Sequence, residues 1–409
     1  MRLMSPTFDT QPAAIRYVWQ QPSWPHFQVD AAALADGLQQ ARLQQGILLG
    51  RLQAIGLPRL LEVSGDVWMQ EAVATAAIEG QRLELASVRS SVLHRLGLQD
   101  HGTPDRHVDG LIDVMQDAIS CHDAPLDLDR LCRWQSALFP GGTSGLQRIA
   151  VGRLRDHTDP MQIVSGRPGR EVVHYTAPPS AQVGAELDVF LAWFEASRPA
   201  TGHAGNPPDV RHNGIVRAAL AHLWFETIHP FEEGNGRLGR AIVDLALAQD
   251  AGNSRHLFGL SAELLSSRRA YYDALNAAQC GTLDVTRWVQ WFIQAYTRAC
   301  QRSQDIVRQA IAKSAFWQHV ATQGVNERQR KILTRLVEAG DGGFLGGMTA
   351  EKYAKMTQTS KATATRDLTD LLAKSLLVVE GTGKATRYAV HVEGWNQGQE
   401  PHLAAQSQP

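Results

Sequence analysis

The sequence predicts a mainly α chain with one β-hairpin near its middle, a helical N-terminal region and a C-terminal winged helix-turn-helix. Three observations carry that reading. Apolar residues recur at helical spacing through much of 30–121 and again from 181 to about 312. The stretch 141–180 breaks that period with clusters of turn residues. Residues 326–390 read as three helices followed by two short strands.

The elements follow in order. Residues 1–30 are rich in Pro, Trp and Gln, and prolines at 22 and 25 disfavour a long helix. An extended arm is expected there, with Trp19, Trp24 and Phe27 packed on the body. From Asp30 a helical pattern runs to Gly56–Pro58. A second covers DVWMQEAVATAAIEGQRLE and stops near Gly80; a third covers LASVRSSVLHRLGL; a fourth spans 106–121. MQIVSGRPGREVVHY reads as a β-hairpin with its turn at Gly166–Gly169. In the last unit, Ser360 is the expected N-cap of the third helix, and the strands flank Gly381–Gly383. The tail from about 392 is Gln, Pro and Ala rich and reads as disordered. The expected organisation is therefore 1–100, 101–312, 326–390 and a tail, 391–409.

Composition narrows the class. The chain has 409 residues, 44% hydrophobic and 20% charged, with a formal net charge of −1, which argues against a whole-chain polyanion binder. Cys121, Cys132, Cys280 and Cys300 form no C-x-x-C pair and no zinc spacing with histidine, so a reducing compartment is expected. No signal peptide and no membrane-spanning run is evident, and the expectation is a cytoplasmic protein without membrane contact.

The densest chemistry lies at 229–240, HPFEEGNGRLGR. Pro230 should end the apolar helix before it, and the loop 232–236 then opens a new helix. A glycine-rich turn at a helix N-terminus presents unpaired N–H groups and the positive dipole end, an anion site suited to phosphate. Gly234 and Gly236 are expected to allow close approach and positive φ, and Asn235 to tolerate the left-handed region while adding an amide donor. Arg237 and Arg240 share one face and can grip successive phosphates. Glu233 is a hard oxygen ligand suited to Mg²⁺, which takes one or two carboxylates plus substrate phosphates. His229 has the pKa range of a general base near neutrality. Together these describe nucleotidyl or phosphoryl transfer.

The string matches H-P-F-x-D/E-G-N-G-R-x-x-R at every fixed position, and on that ground the chain resembles the Fic (filamentation induced by cyclic AMP) family over roughly 70–300. The resemblance implies a helical Fic core and transfer of AMP from ATP, with Mg²⁺, to a Tyr, Thr or Ser hydroxyl of a target protein. It implies His229 as the base, Phe231 as the buried anchor of the loop and Glu233 as the metal ligand. Gly234, Asn235 and Gly236, with Arg237, would cradle the α- and β-phosphates, and Arg240 would hold the γ-phosphate. The hairpin near 161–175 resembles the family flap, so Met161, Gln162, Ile163 and Val164 would dock the target segment by strand addition. Tyr272 and Asn276, in SRRAYYDALN, resemble positions on the adenine side, whereas Tyr271 reads equally as core. His222 reads as structural.

Residues 75–80, TAAIEG, are similar to the inhibitory motif S/T-x-x-x-E-G/N of the same family. The four-residue spacing puts Thr75 and Glu79 on one helical face. By resemblance, Glu79 would pair with Arg240 as a bidentate partner and displace the productive ATP pose. The same glutamate could instead orient water and support removal of AMP.

The unit 326–390 carries a net charge of +4, opposite in sign to the chain. Its third helix offers Ser360, Lys361, Thr363, Thr365 and Arg366, with Lys384 and Arg387 at the wing. DNA contact and a protein-docking or homodimer role both stay open there. The rival to an autoinhibited adenylyltransferase is a DNA-binding regulator that senses a nucleotide without turnover; a third reading keeps the fold and transfers another phosphate-containing group.

Overall fold

The computed structural model describes residues 16–98, 105–145, 147–165, 170, 172–199, 209–340, 347–381 and 385–395. The expected Gly166–Gly169 turn, Lys384 and residues 396–409 lie outside the described residues, whereas the first residues of the expected disordered tail, 391–395, are ordered, because Val392 and Trp395 are buried in the second core. The chain divides into two compact units, Met1–Gln304 and Asp305–Pro409, with the boundary inside one long helix.

The N-terminal unit begins with a 3₁₀ turn, Val18–Gln20, and a short extended run. Trp24 and Phe27 meet the ring of Trp224 edge-on, and the indole N–H of Trp24 donates to Glu186 at 2.7 Å. Trp19 donates to the carbonyl of Thr176 at 2.9 Å. Helix α1 (Ala31–Ala54) starts at Asp30, whose carboxylate accepts from the N–H groups of Ala32 and Ala33. It buries Leu34, Leu38, Ala41, Gln45, Leu48 and Leu52, a stripe with alternating spacings of four and three. Helix α2 (Leu57–Ile78) starts nine residues earlier than the DVWMQ pattern suggests. Gly56 turns the chain at φ +71°, and the proline behind it sits in the first turn, where its missing N–H costs nothing. Helices α3 (Leu85–Arg95), α4 (Arg106–Ser120) and α5 (Leu128–Leu138) follow.

Two short antiparallel pairs interrupt the helices. They are β1 (Thr143–Ser144) with β2 (Gln147–Arg148), and β3 (Gln162–Ser165) with β4 (Val172–Thr176). Next come α6 (Ser180–Ala196), α7 (Gly214–Ile228), α8 (Asn235–Ala251), α9 (Leu260–Ser266), α10 (Arg268–Gln279) and α11 (Thr286–Thr322). All fifteen residues of α7 are buried, so this helix is the axis of the unit, and α8 packs along it. Its buried Arg217 is satisfied by Ser197, Gln249 and the carbonyl of Phe194, with the guanidinium 3.9 Å over the Phe194 ring.

The C-terminal unit has its own core. Helix α11 continues to Thr322, past the limit near 312 that its sequence pattern suggests, because Phe316 and Val320 belong to this second core. Helices α12 (Glu327–Glu338), α13 (Ala350–Thr357) and α14 (Lys361–Ala373) precede an antiparallel pair, β5 (Leu377–Glu380) and β6 (Arg387–Val390). The Ser360 hydroxyl caps α14 by accepting from the N–H of Thr363 at 3.1 Å. Asp367 ties the helices together, accepting from Arg328 at 3.0 Å and from the Tyr353 hydroxyl at 2.8 Å. Among the described residues no helix is long and apolar enough to cross a membrane.

Candidate active site

The site forms where α7 ends and α8 begins. His229 closes α7 in the left-handed region, φ 49° and ψ 62°, with its N–H still bonded to the carbonyl of Phe225. A left-handed backbone at a non-glycine residue costs energy and must be held by its surroundings. Arg155 does much of that holding. Its Nε donates to the carbonyl of His229 at 2.8 Å and its second nitrogen to Ile228 at 3.2 Å. The same guanidinium reaches Pro178 and Ser180, and the Arg155 N–H donates to Pro230 at 3.0 Å. One buried arginine therefore satisfies the end of α7 and binds it to the segment that follows β4.

Asn235 does not take the left-handed conformation expected of it. It is the first residue of α8, and it is buried. Its amide donates to the carbonyl of Phe231 at 2.7 Å and accepts the Phe231 N–H at 3.0 Å, so the side chain closes the loop upon itself. Phe231 is fully buried beneath it. Gly234 has the positive φ, +94°, and a Cβ there would lie 3.0 Å from the Phe139 ring. Gly236 is helical, and its requirement is space: a Cβ would overlap Oε1 of Glu79.

Glu79 thus lies over the N-terminus of α8, where the sequence predicts an anion. Helix α2 delivers it. Gly80 turns at φ +77°, its N–H donates to Ala77, and the Gln81 N–H donates to Ala76, which is a Schellman ending with Glu79 at the cap. Glu79 Oε1 accepts from Arg240 at 2.7 Å. The contact is not bidentate as expected: the Arg240 Nε donates instead to the Thr75 hydroxyl at 2.7 Å, and a terminal nitrogen also reaches the Thr75 carbonyl at 3.0 Å. Burial opposes both charges, but each outweighs it for the other, holding Glu79 below the ordinary carboxylate range and Arg240 above its own.

The other residues spread around this pair. Arg237 lies 4.7 Å over the Phe139 ring and contacts Gln81 at 3.4 Å; burial lowers it to about 10. Glu232 is engaged with the backbone, accepting from Ala150 at 2.8 Å. Glu233 is exposed; its carboxylate feels the Arg237 charge but makes no hydrogen bond or ion pair among the described residues. It is the acid left for a cation, and one such ligand fits Mg²⁺ that takes its remaining oxygens from phosphates and water. No group of three or more His, Cys, Asp or Glu side chains poised for a metal exists among the described residues. Burial and the Arg155 charge lower His229 to about 4, so its imidazole is neutral at physiological pH and able to accept a proton.

Tyr272 reaches the carbonyl of Ile78 at 3.5 Å, which places it beside the Glu79 end of α2. Asn276 lies one turn further along α10 and contacts Cys280, which faces the carbonyl of His174 on β4. Gln162 to Val164 form β3, paired with β4, and the Met161 carbonyl accepts from Ala177. The Tyr175 hydroxyl of β4 donates to the carbonyl of Thr227 at 2.7 Å, anchoring the hairpin beside the end of α7. Tyr271 is core, and His222 bonds its hydroxyl at 2.8 Å. Sequence reasoning missed Arg155 and Glu226. The latter had a signal: it is the one acid in the apolar run 214–228, four residues after His222 and three before His229.

A Fic/DOC family model matches residues 125–247, and a domain of unknown function, DUF4172, matches residues 17–98. The chain is a Fic/DOC family protein with an N-terminal DUF4172 domain. It is 23% identical over 223 residues to the protein adenylyltransferase Fic of Aedes aegypti, covering 53% of this chain and 38% of that one. It is 29% identical over 130 residues to a uridine 5'-monophosphate transferase of Xanthomonas campestris pv. campestris (strain 8004), covering 30% and 21%. The chain thus spans less than two-fifths of either relative. A crystal structure of a Fic family protein from Desulfovibrio desulfuricans G20 aligns with a TM-score of 0.47 at 19% identity, covering 91% of this chain and 98% of that one.

Proposed function

We propose that the chain transfers AMP from ATP to a Tyr, Thr or Ser hydroxyl of a target protein, and that Glu79 restrains it. The observation that carries this reading is the Glu79 carboxylate lying over Gly236 and bonded to Arg240. A carboxylate in that position supports a phosphate oxygen taking the same place in the productive state. In the productive state the triphosphate takes that place at the N-terminus of α8, and Arg240 holds its terminal phosphate. The target hydroxyl attacks the α-phosphorus while its proton passes to His229. The bond from the α-phosphorus to the bridging oxygen breaks, and pyrophosphate leaves. Glu233 would hold Mg²⁺, which neutralises phosphate charge when bound. Met161, just before β3, and Gln162 to Val164 on β3 would receive the target segment, and Tyr272 and Asn276 would flank the base.

The test is mass spectrometry of lysate proteins incubated with ATP or UTP and the Glu79→Gly chain. An increment equal to AMP on a hydroxyl side chain, absent in Glu79→Gly/His229→Ala, is expected. A UMP increment instead would reassign the nucleotide, in line with the Xanthomonas relative. No increment with either nucleotide would sink the reading.

A second reading concerns the C-terminal unit. We infer that α14 contacts duplex DNA. Lys361, Ala362, Thr365 and Arg366 are exposed on it, a face of small and basic side chains without a large apolar residue. The nearby acids Asp367 and Asp370 are engaged by Arg328, Gln329 and Lys374, and Lys361 pairs with Glu351 at 2.8 Å, a contact that phosphate would have to replace. Salt-dependent duplex binding that weakens in Lys361→Ala/Arg366→Ala is expected; binding unaffected by that change would refute it.

A further inference from the structure

We propose that Glu226 orients the His229 base: its carboxylate accepts the Nδ1–H of His229, so that Nε2 is the atom that takes the target's hydroxyl proton. This rests on the transfer reaction proposed above. Helix α7 carries His222 and Glu226 four residues apart on one face, and His229 caps the helix three residues further on. Glu226 Oε1 is a buried polar atom without a hydrogen-bond partner, whereas the buried Nδ1 atoms of His222 and His229 make no well-formed bond and have the backbone of Gly239 and of Glu226, respectively, close to their rings. Burying a carboxyl group without a partner is costly, and Glu226 Oε1 has none. Glu226 Oε2 stands 3.7 Å from His229 Nδ1, facing it but beyond hydrogen-bond length. Hydrogen bonds between catalytic groups are often long in resting enzymes and tighten with substrate bound.

Gly239, the third glycine of HPFEEGNGRLGR, makes the room. A Cβ there would overlap Glu226 Oε1 and approach His222 Nδ1 to 3.2 Å. At the far end, His222 Nε2 lies 2.8 Å from the Tyr271 hydroxyl. The charged and titratable groups facing the dyad are Arg240 on α8, Glu79 on α2, Tyr271 on α10, and Arg155, which faces His229.

When the hydroxyl oxygen bonds to the α-phosphorus, its proton moves to Nε2. The imidazolium is then compensated by the carboxylate behind it, and the Nε2 proton passes to water as the product departs. Burial raises Glu226 to about 8, so the carboxylate form fills as pH rises through that value and transfer should rise with it.

The first test uses the full native chain with ¹⁵N-labelled histidine and needs no variant to fold. His229 ring signals are assigned by their loss in His229→Gln. Above pH 8, where Glu226 is ionised, the expected resting tautomer carries its proton on Nδ1; a proton on Nε2 there overturns the proposal. In Glu226→Gln the tautomer should shift or mix. Transfer in the Glu79→Gly background should fall about 100-fold, with ATP affinity unchanged and the rise near pH 8 lost. Gly239→Ala keeps the carboxylate but crowds it, and should move the same ring signals. Glu226→Gln with the native tautomer and native pH profile, or Gly239→Ala with the native tautomer, counts against the dyad. If the Glu79→Gly chain transfers nothing, the reaction reading fails while the tautomer result still judges Glu226.

Discussion

Arg240 holds two residues of α2 at once: its Nε donates to the Thr75 hydroxyl at 2.7 Å, and a terminal nitrogen donates to Glu79 at 2.7 Å. The side chain of Arg240 is almost entirely buried, whereas that of Glu79 is about one-third exposed (4% and 32%). The arginine cannot find water if its partner leaves, so anything that removes Glu79 must supply another anion or destabilise the site.

That asymmetry makes a measurable prediction for Glu79→Gly. Without nucleotide the variant should melt below the native chain, because a buried guanidinium loses its anionic partner. Added ATP should raise its melting temperature more than it raises that of the native chain, since phosphate restores the partner. Equal shifts in both proteins would contradict the exchange of Glu79 for phosphate.

The same pair sets an acid limit. The folded pKa of Glu79 lies below its ordinary value of 4.5, so its contribution is complete above the unfolded pKa and is lost as pH falls through the folded one. The buried histidines act over a higher window. His222 and His229 are lowered to about 4 and His256 to about 3 by burial, from 6.5. The unfolded chain binds more protons over that interval, so stability should decline as pH drops from 6.5 toward 4. Denaturant titrations at a series of pH values should show this slope, and it should flatten in His256→Gln. An unchanged slope would mean that His256 already carries its proton in the folded chain.

Thr75 separates the two halves of the Arg240 grip. Thr75→Ala removes the hydroxyl that accepts from Nε but leaves the Thr75 carbonyl contact and Glu79. A loss of about 1 kcal/mol is expected, with weaker release of transfer than in Glu79→Gly. Thr75→Ser keeps the oxygen and should behave as native. Labelled ATP and a common target preparation would rank the three; activation by Thr75→Ala equal to that of Glu79→Gly would give the hydroxyl the larger share of the restraint.

Much of this site is legible in sequence because its groups lie on one loop and one helix end. HPFEEGNGRLGR displays its own turn chemistry, and TAAIEG carries both a helix ending and an acid. What escapes is tertiary. Arg155 is distant in sequence from the carbonyls it binds, and nothing in GRLR distinguishes it from a surface arginine. The glycines were legible as punctuation, but their separate duties were not. Gly234 supplies positive φ, Gly236 leaves space for Glu79, and Gly239 leaves space for Glu226. Asparagine tolerates the left-handed region, so sequence alone points to Asn235 for it. The loop gives that conformation to His229 and uses Asn235 as its closing bond.

Gly236→Ala tests whether the space over α8 belongs to an anion. The added methyl would meet Glu79 Oε1 in the resting state. Calorimetry should show loss of ATP binding in Gly236→Ala/Glu79→Gly, where no carboxylate remains to compete. Retained affinity would place the triphosphate elsewhere.

Asn235 offers the sharpest separation of loop shape from charge. Its amide satisfies both the N–H and the carbonyl of the buried Phe231, and among the described residues no other side chain bonds to either. Asn235→Ala leaves two buried backbone groups unpaired, at about 1–3 kcal/mol each. Asn235→Asp can still accept from the Phe231 N–H but cannot donate to its carbonyl, and it places a negative charge beside the phosphate seat. Both variants should melt below the native chain. With Glu79→Gly as background, Asn235→Asp should also weaken ATP binding more than Asn235→Ala, because only it repels the triphosphate. Equal ATP affinity in the two would show that the amide shapes the loop without lying close enough to the anion for its charge to matter.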